Sequence, residues 1–271
     1  MKTKHKMFIA NIISLFLKPF FSKNYIHTRN GIRWRLDLNE GIDLLIFLFG
    51  TSERKIKNIN KFFNPHDKIT VLDIGANVGS ISLPIAKIFT KSKVYSIEPT
   101  NYAYKKLNQN LNLNKSLIKN ISLNQLFISK VNKPSKVWSS WNFTSEKNKH
   151  KKNLGSLRYI KKKSYITLDK FIFKNKIKKI DFIKLDVDGH ELDVLKSGEK
   201  EIKKKKPIIF MEIAPYLYPE FGYECHELIE YILKVGYLFY DDNVEKIKDI
   251  NNYIDRISIG SSKNFYLIYK T

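Results

Sequence analysis

Cysteine is almost absent from this 271-residue chain: Cys225 stands alone, so no disulfide can form within it, and a reducing compartment is the expected setting. Arginine is scarce too. Of 49 basic residues, six are arginine and the rest lysine, against 26 acids, for a net charge of +23. Arginine is the usual residue for bidentate phosphate recognition, so a lysine surplus argues weakly for a nucleic-acid groove and better for solvated surface or a lipid headgroup region. Long apolar runs are also missing. The stretch Phe8 to Leu17 sits between lysines and stops near Pro19, short of the roughly 20 residues that span a bilayer. No small-x-small cleavage signal follows it, so residues 1–23 are expected to form an apolar, basic helix that packs or lies at a membrane surface. Neither G-x-G-x-x-G nor G-K-[ST] occurs, which weakens dinucleotide and P-loop readings.

What is present is a rhythm. After a lead-in over residues 24–66, with a short strand in GIRWRLDL and packed helices after it, apolar strands alternate with helices from residue 67 to the end. Strands are expected in ITVLDIG, KVYSIEP, NISLNQLFI, KIDFIKLDVD, KPIIFMEIA, YLFYDD and NFYLIYKT, with helices between them. That order predicts an α/β domain with a mostly parallel sheet covered on both faces. Residues 129–163 interrupt it with a polar, lysine-rich insertion. A strand is expected near Lys136–Ser140, and Trp138, Trp141 and Phe143 are equally candidates for packing and for a substrate site.

Two acids and two glycines carry the first functional signal. VLDIGANVG places Gly75 and Gly79 in a strand-to-helix turn, where an open α/β sheet binds a nucleotide-like ligand. Asp73 at the strand end suits a cation better than a pyrophosphate. Glu98, at the end of the next strand, is placed to take ribose hydroxyls. Together they point to S-adenosylmethionine.

The second signal is IDFIKLDVDGHELDVL, with five carboxylates in sixteen positions. Asp186 and Asp188 share a side if the strand runs to Gly189. Asp188 is otherwise a helix cap, Glu191 and Asp193 read as solvated, and a divalent ion on Asp186, Asp188 and Glu212 is a chemically reasonable alternative.

The segments VLDIGANVG, VYSIEP, ITLDKFI, IDFIKLDVDGHELDVLKSG and KPIIFMEI resemble, in order and spacing, the FkbM family of S-adenosylmethionine-dependent methyltransferases. The resemblance implies a Rossmann-like, seven-stranded methyltransferase sheet with a reversed hairpin at its C-terminal edge. It implies methyl transfer to a hydroxyl of a sugar, glycoconjugate or secondary metabolite, with a small-molecule or glycan acceptor. Asp73, Gly75, Asn77, Gly79 and Glu98 match the cofactor positions. Asp186, His190 and Glu212 are the catalytic candidates: Asp186 as the principal acid, His190 as a base, Glu212 orienting the acceptor. The chain departs from the family where Asp188 and His190 replace the usual Glu and Ala, and where Lys130 replaces an acid. A cytoplasmic enzyme is expected, with peripheral membrane contact through residues 1–23. The rival readings are an RNA or protein methyltransferase and a non-catalytic membrane-surface module.

Overall fold

The computed structural model describes residues 25–50, 57–130, 136–141, 155–160 and 165–270. The residue 1–23 segment and Phe143 lie outside them. The lead-in is a hairpin of β1 (Tyr25–Arg29) and β2 (Ile32–Leu36), followed by helix α1 (Gly41–Phe49). Strands β3 (Thr70–Ile74), β4 (Lys93–Ile97) and β5 (Ile121–Asn124) alternate with α2 (Ser82–Ile88) and α3 (Asn101–Leu113). The insertion contributes β7 (Lys136–Trp141) and β8 (Gly155–Tyr159) as one two-stranded sheet, and β6 (Phe127–Ile128) and β9 (Tyr165–Ile166) pair at its base as another. Trp138 and Trp141 fall on β7. The chain continues through α4 (Leu168–Lys174), β10 (Phe182–Leu185), α5 (Glu191–Ser197), α6 (Glu199–Lys205), β11 (Ile208–Ile213), α7 (Cys225–Val235), β12 (Tyr237–Tyr240), α8 (Ile250–Asp255) and β13 (Lys263–Tyr269).

The main sheet has seven strands in the order β12-β13-β11-β10-β3-β4-β5. Four of its pairings are parallel, as expected: β10 runs parallel to β3 and β11, and β4 parallel to β3 and β5. β13 is antiparallel to both β11 and β12, which makes the reversed edge. The strands are apolar on both faces because both faces are covered. Val71, Val94, Phe182 and Phe210 join a core with β2, α1, α2 and α3, while Leu72, Ile183, Ile209 and Met211 join a second core with α4 to α8.

The order reverses between β3 and β10. The chain leaves β3 toward β4 and later returns to β10 on the other side, which makes this the switch point where an open α/β sheet has its ligand crevice. Local chemistry sharpens the helix ends around it. Thr100 caps α3 by accepting from Ala103 N, and Glu224 and Glu227 form a capping box on α7.

Three details differ from the sequence reading. NISLNQLFI is two strands, β5 and β6, in different sheets. The helix expected over HELDVLKSGEKEIKKK is two, α5 and α6, broken at Gly198, where a side chain would meet Leu168 at 2.5 Å. The β10 strand stops at Leu185, before the acids.

The insertion stands on both sides of β3. At its start, Ser129 Oγ and Lys130 N donate to the Asp193 carboxylate on α5. At its return, Ile160 bridges to Thr100, at the head of α3.

Candidate active site

The turn after β3 is built by three left-handed residues: Gly75, Asn77 and Gly79, with φ of 80°, 49° and 90°. Gly75 N and Ala76 N both donate to Ile97 O, which ties the turn to the end of β4. Gly75 is required by a neighbouring chain segment. A Cβ there would stand 1.9 Å from the Asp186 carbonyl oxygen, so two backbones touch where a side chain belongs. A Cβ on Gly79 would meet the methyl ends of Leu83 and Leu107.

Asp73 is fully buried beneath this turn. One oxygen accepts from Ser82 Oγ at 2.5 Å; the other has no hydrogen-bond partner. Glu98, also buried, accepts from Thr100 N at 2.9 Å and Thr100 Oγ1 at 2.5 Å on one oxygen, and from Asn77 N at 3.0 Å on the other. Burial pushes its carboxyl above the usual range, while these donors and the Lys184 charge hold it back.

The loop after β10 is different. Asp186 N donates to Ile74 O, so Asp186 still follows β3, with its side chain partly exposed. Asp188 is left-handed, at φ 50°, and neither shares a strand face with Asp186 nor caps the helix; the N-cap position of α5 is His190. Burial raises Asp188 well above the carboxylate range, and Asp186, Glu212 and Glu191 push the same way. Glu191, read as solvated, is buried and accepts from Val187 N and Gly189 N, both at 3.1 Å. Its burial outweighs those bonds and pushes it up to about 8. Asp193 is half-buried and holds the insertion as described.

His190 is sealed. Its ring stands edge-on to Phe127 and Phe221, with centroids 5.0 and 4.4 Å away, and its Nδ1 has no partner. Burial pulls its pKa down to about 4, so it is neutral at physiological pH. Glu212 reaches the same edge from β11 and accepts from Ser262 Oγ. Tyr216 belongs to this rim too: burial, with help from Glu212, Asp188 and Glu220, pushes its phenol up to about 12. Among the described residues no three His, Cys, Asp or Glu side chains are grouped to hold a metal ion.

Sequence reasoning missed Lys184. It lies in the middle of β10, directly across from Asp73, and is 6% exposed. Its Nζ donates to Gly75 O at 2.6 Å and lies 3.6 Å from both Asp73 and Asp186. The signal was present: one lysine inside FIKL, a strand apolar on both faces, is a conflict that needs a buried partner.

The pocket's chemistry fits a cationic nucleoside. Two carboxylates, Asp73 and Asp186, share the one Lys184 ammonium, Asp73 Oδ1 meets that charge at 3.6 Å without a hydrogen bond, and one Glu98 oxygen has accepted a single donor and can take a hydroxyl.

The profile of the methyltransferase FkbM domain matches residues 73–239. A tRNA(Phe) (4-demethylwyosine(37)-C(7)) aminocarboxypropyltransferase from Pyrococcus horikoshii is 33% identical over 90 residues, which is 33% of this chain and 30% of that enzyme, so the chain spans under a third of that relative's length. Among solved structures, the METTL16 methyltransferase domain aligns with a TM-score of 0.47 at 11% identity, covering 97% of this chain and 79% of the other. P. horikoshii TYW2 in complex with MeSAdo aligns at 0.44 and 19%, covering 97% and 83%.

Proposed function

This chain belongs to the FkbM family of S-adenosylmethionine-dependent methyltransferases, and we propose that it carries the methyl group to a hydroxyl of a sugar, glycoconjugate or secondary metabolite. When bound, the cofactor supplies an electrophilic methyl on a sulfonium. Asp73, Gly75, Asn77, Gly79 and Glu98 hold it: the glycine turn by its backbone, Glu98 through the ribose, Asp73 by its negative charge. Asp186, at the mouth of the crevice, would take the proton from the acceptor hydroxyl, whose oxygen would gain the methyl while the C–S bond breaks and its electron pair stays on sulfur. Glu212 orients the acceptor. His190 is a weaker choice of base, because it is shut between two rings and stays neutral down to about pH 4.

One observation carries the choice of acceptor. In a chain of net charge +23, the reacting edge is acidic: Asp186, Asp188, Glu212 and Glu220 are near enough to act on one another or on Tyr216. Such a rim supports a neutral hydroxyl compound and repels phosphates. A second reading, methylation of RNA, draws on the overall charge and the partial likeness to a tRNA-modifying enzyme. Labelled methyl uptake separates the two. Incorporation into neutral or lipid-linked glycans at 150 mM salt supports the proposal. Incorporation into tRNA alone, lost steeply as salt rises, overturns it in favour of RNA.

Among the described residues no helix is long and apolar enough to cross a membrane. Surface contact through residues 1–23 remains part of the proposal, on the basis of their basic and apolar sequence.

A further inference from the structure

The geometry points to Lys184 as the positioning residue of the cofactor site: a single buried ammonium joins the glycine turn to the acid-bearing loop and sets the spacing between them. This rests on the cofactor reading above. Two segments that arrive from different strands meet at Gly75 and Asp186 with no side chain between them. Lys184 ties the same two segments from below, donating to Gly75 O at 2.6 Å and standing 3.6 Å from the carboxylates of Asp73 and Asp186. A second carbonyl, Ile74 O, lies at 3.5 Å.

The charge is what makes the arrangement work. Burial opposes the ammonium, yet Asp186, Asp73, Glu212 and Glu98 act together to keep it protonated. These acids come from β3, β4, β11 and the loop after β10, so the lysine is the common counter-charge of every strand that borders the crevice. It in turn restrains Glu98 and Asp188, both of which burial pushes toward the neutral form. Without it, the carboxylates would face one another across a poorly solvated space, and Glu98 would take up a proton at higher pH. A protonated Glu98 is a poorer acceptor for a ribose hydroxyl.

The test uses binding and needs no acceptor. Titration calorimetry of the full chain with S-adenosylmethionine and S-adenosylhomocysteine from pH 5 to 8 first establishes the wild-type profile. If wild type binds neither nucleoside, the cofactor reading itself fails. Lys184→Met is expected to bind about tenfold more weakly at pH 6, with its acid limb moved up by about one unit or more. Lys184→Arg, which keeps the charge, is expected to leave the acid limb where wild type has it. A folded Lys184→Met with the wild-type pH profile overturns the proposal. Should that variant not fold, wild-type protein labelled with ¹⁵N-lysine decides: besides the ammonium of Lys106, which is buried against Asp43, a second slowly exchanging signal is expected to persist to pH 8 and to shift when either nucleoside is added. Absence of such a signal, or its indifference to the nucleoside, overturns the proposal equally.

Discussion

The turns after β3 and after β10 sit side by side, and both depend on left-handed backbone: Gly75, Asn77 and Gly79 in one, Asp188 and Gly189 in the other. Their electrostatics are opposite. In the first, the neighbouring acid Glu98 is tied down by three protein donors. In the second, Asp186 and Glu212 push on Asp188, and Glu191 is clamped by backbone N–H groups. The first turn is thus set in shape before any ligand arrives. The second stores repulsion that a cation or a proton relieves, which suits a place where charge moves.

Substitutions can break that contrast, and the largest effect is expected at Gly75. Gly75→Ala forces a Cβ into the Asp186 carbonyl at a left-handed φ, so both turns are displaced at once. A loss of about 3 kcal/mol or more is expected in denaturant unfolding, with cofactor binding abolished. Retained stability would mean that the two backbones can separate cheaply. Asp186→Asn acts on one turn only. Turnover is expected to fall by about 10²-fold or more while affinity for S-adenosylhomocysteine changes little; an equal loss of both would move Asp186 from the reaction to the binding half. Gly79→Ala sharpens the comparison within the first turn. Its Cβ meets only the flexible ends of Leu83 and Leu107, so a smaller cost of about 1–2 kcal/mol is expected.

The smallest effect is a pH dependence within the second turn. Glu191, pushed up to about 8, favours the folded state most below its ordinary value of 4.5, and that contribution is lost as pH rises toward 8. His190, pulled down to about 4, does the reverse: its contribution is complete above 6.5 and lost as pH falls toward 4. The two oppose each other between 4.5 and 6.5. Above 6.5 only Glu191 of this pair still titrates, so the melting temperature is expected to decline from pH 6.5 to 8, and Glu191→Gln to make that decline shallower. An unaltered slope in thermal melts would remove Glu191 from the account.

The sheet was legible because its strands are apolar on both faces and its glycine turn has a recognisable spacing. The acid-rich segment was legible as a site and not as a shape. Periodicity carries no sign that Leu185 ends the strand, since the reversal at Asp188 is a backbone event. Glu191 looked solvated because an acid in a helix's first turn usually is; here its partners are the N–H groups of the preceding turn, four and two residues away. Lys184 is one lysine among many in this chain, and composition alone does not single it out. Only the register that sets it opposite Asp73 gives it a role.

Among the described residues, the insertion is tied at its start to Asp193 and at its return to Thr100. Both footings belong to the heads of helices that flank the sheet, so a change of sequence between them leaves the strands that carry Asp73 and Lys184 resting on the same supports, like a shade replaced on a fixed lamp.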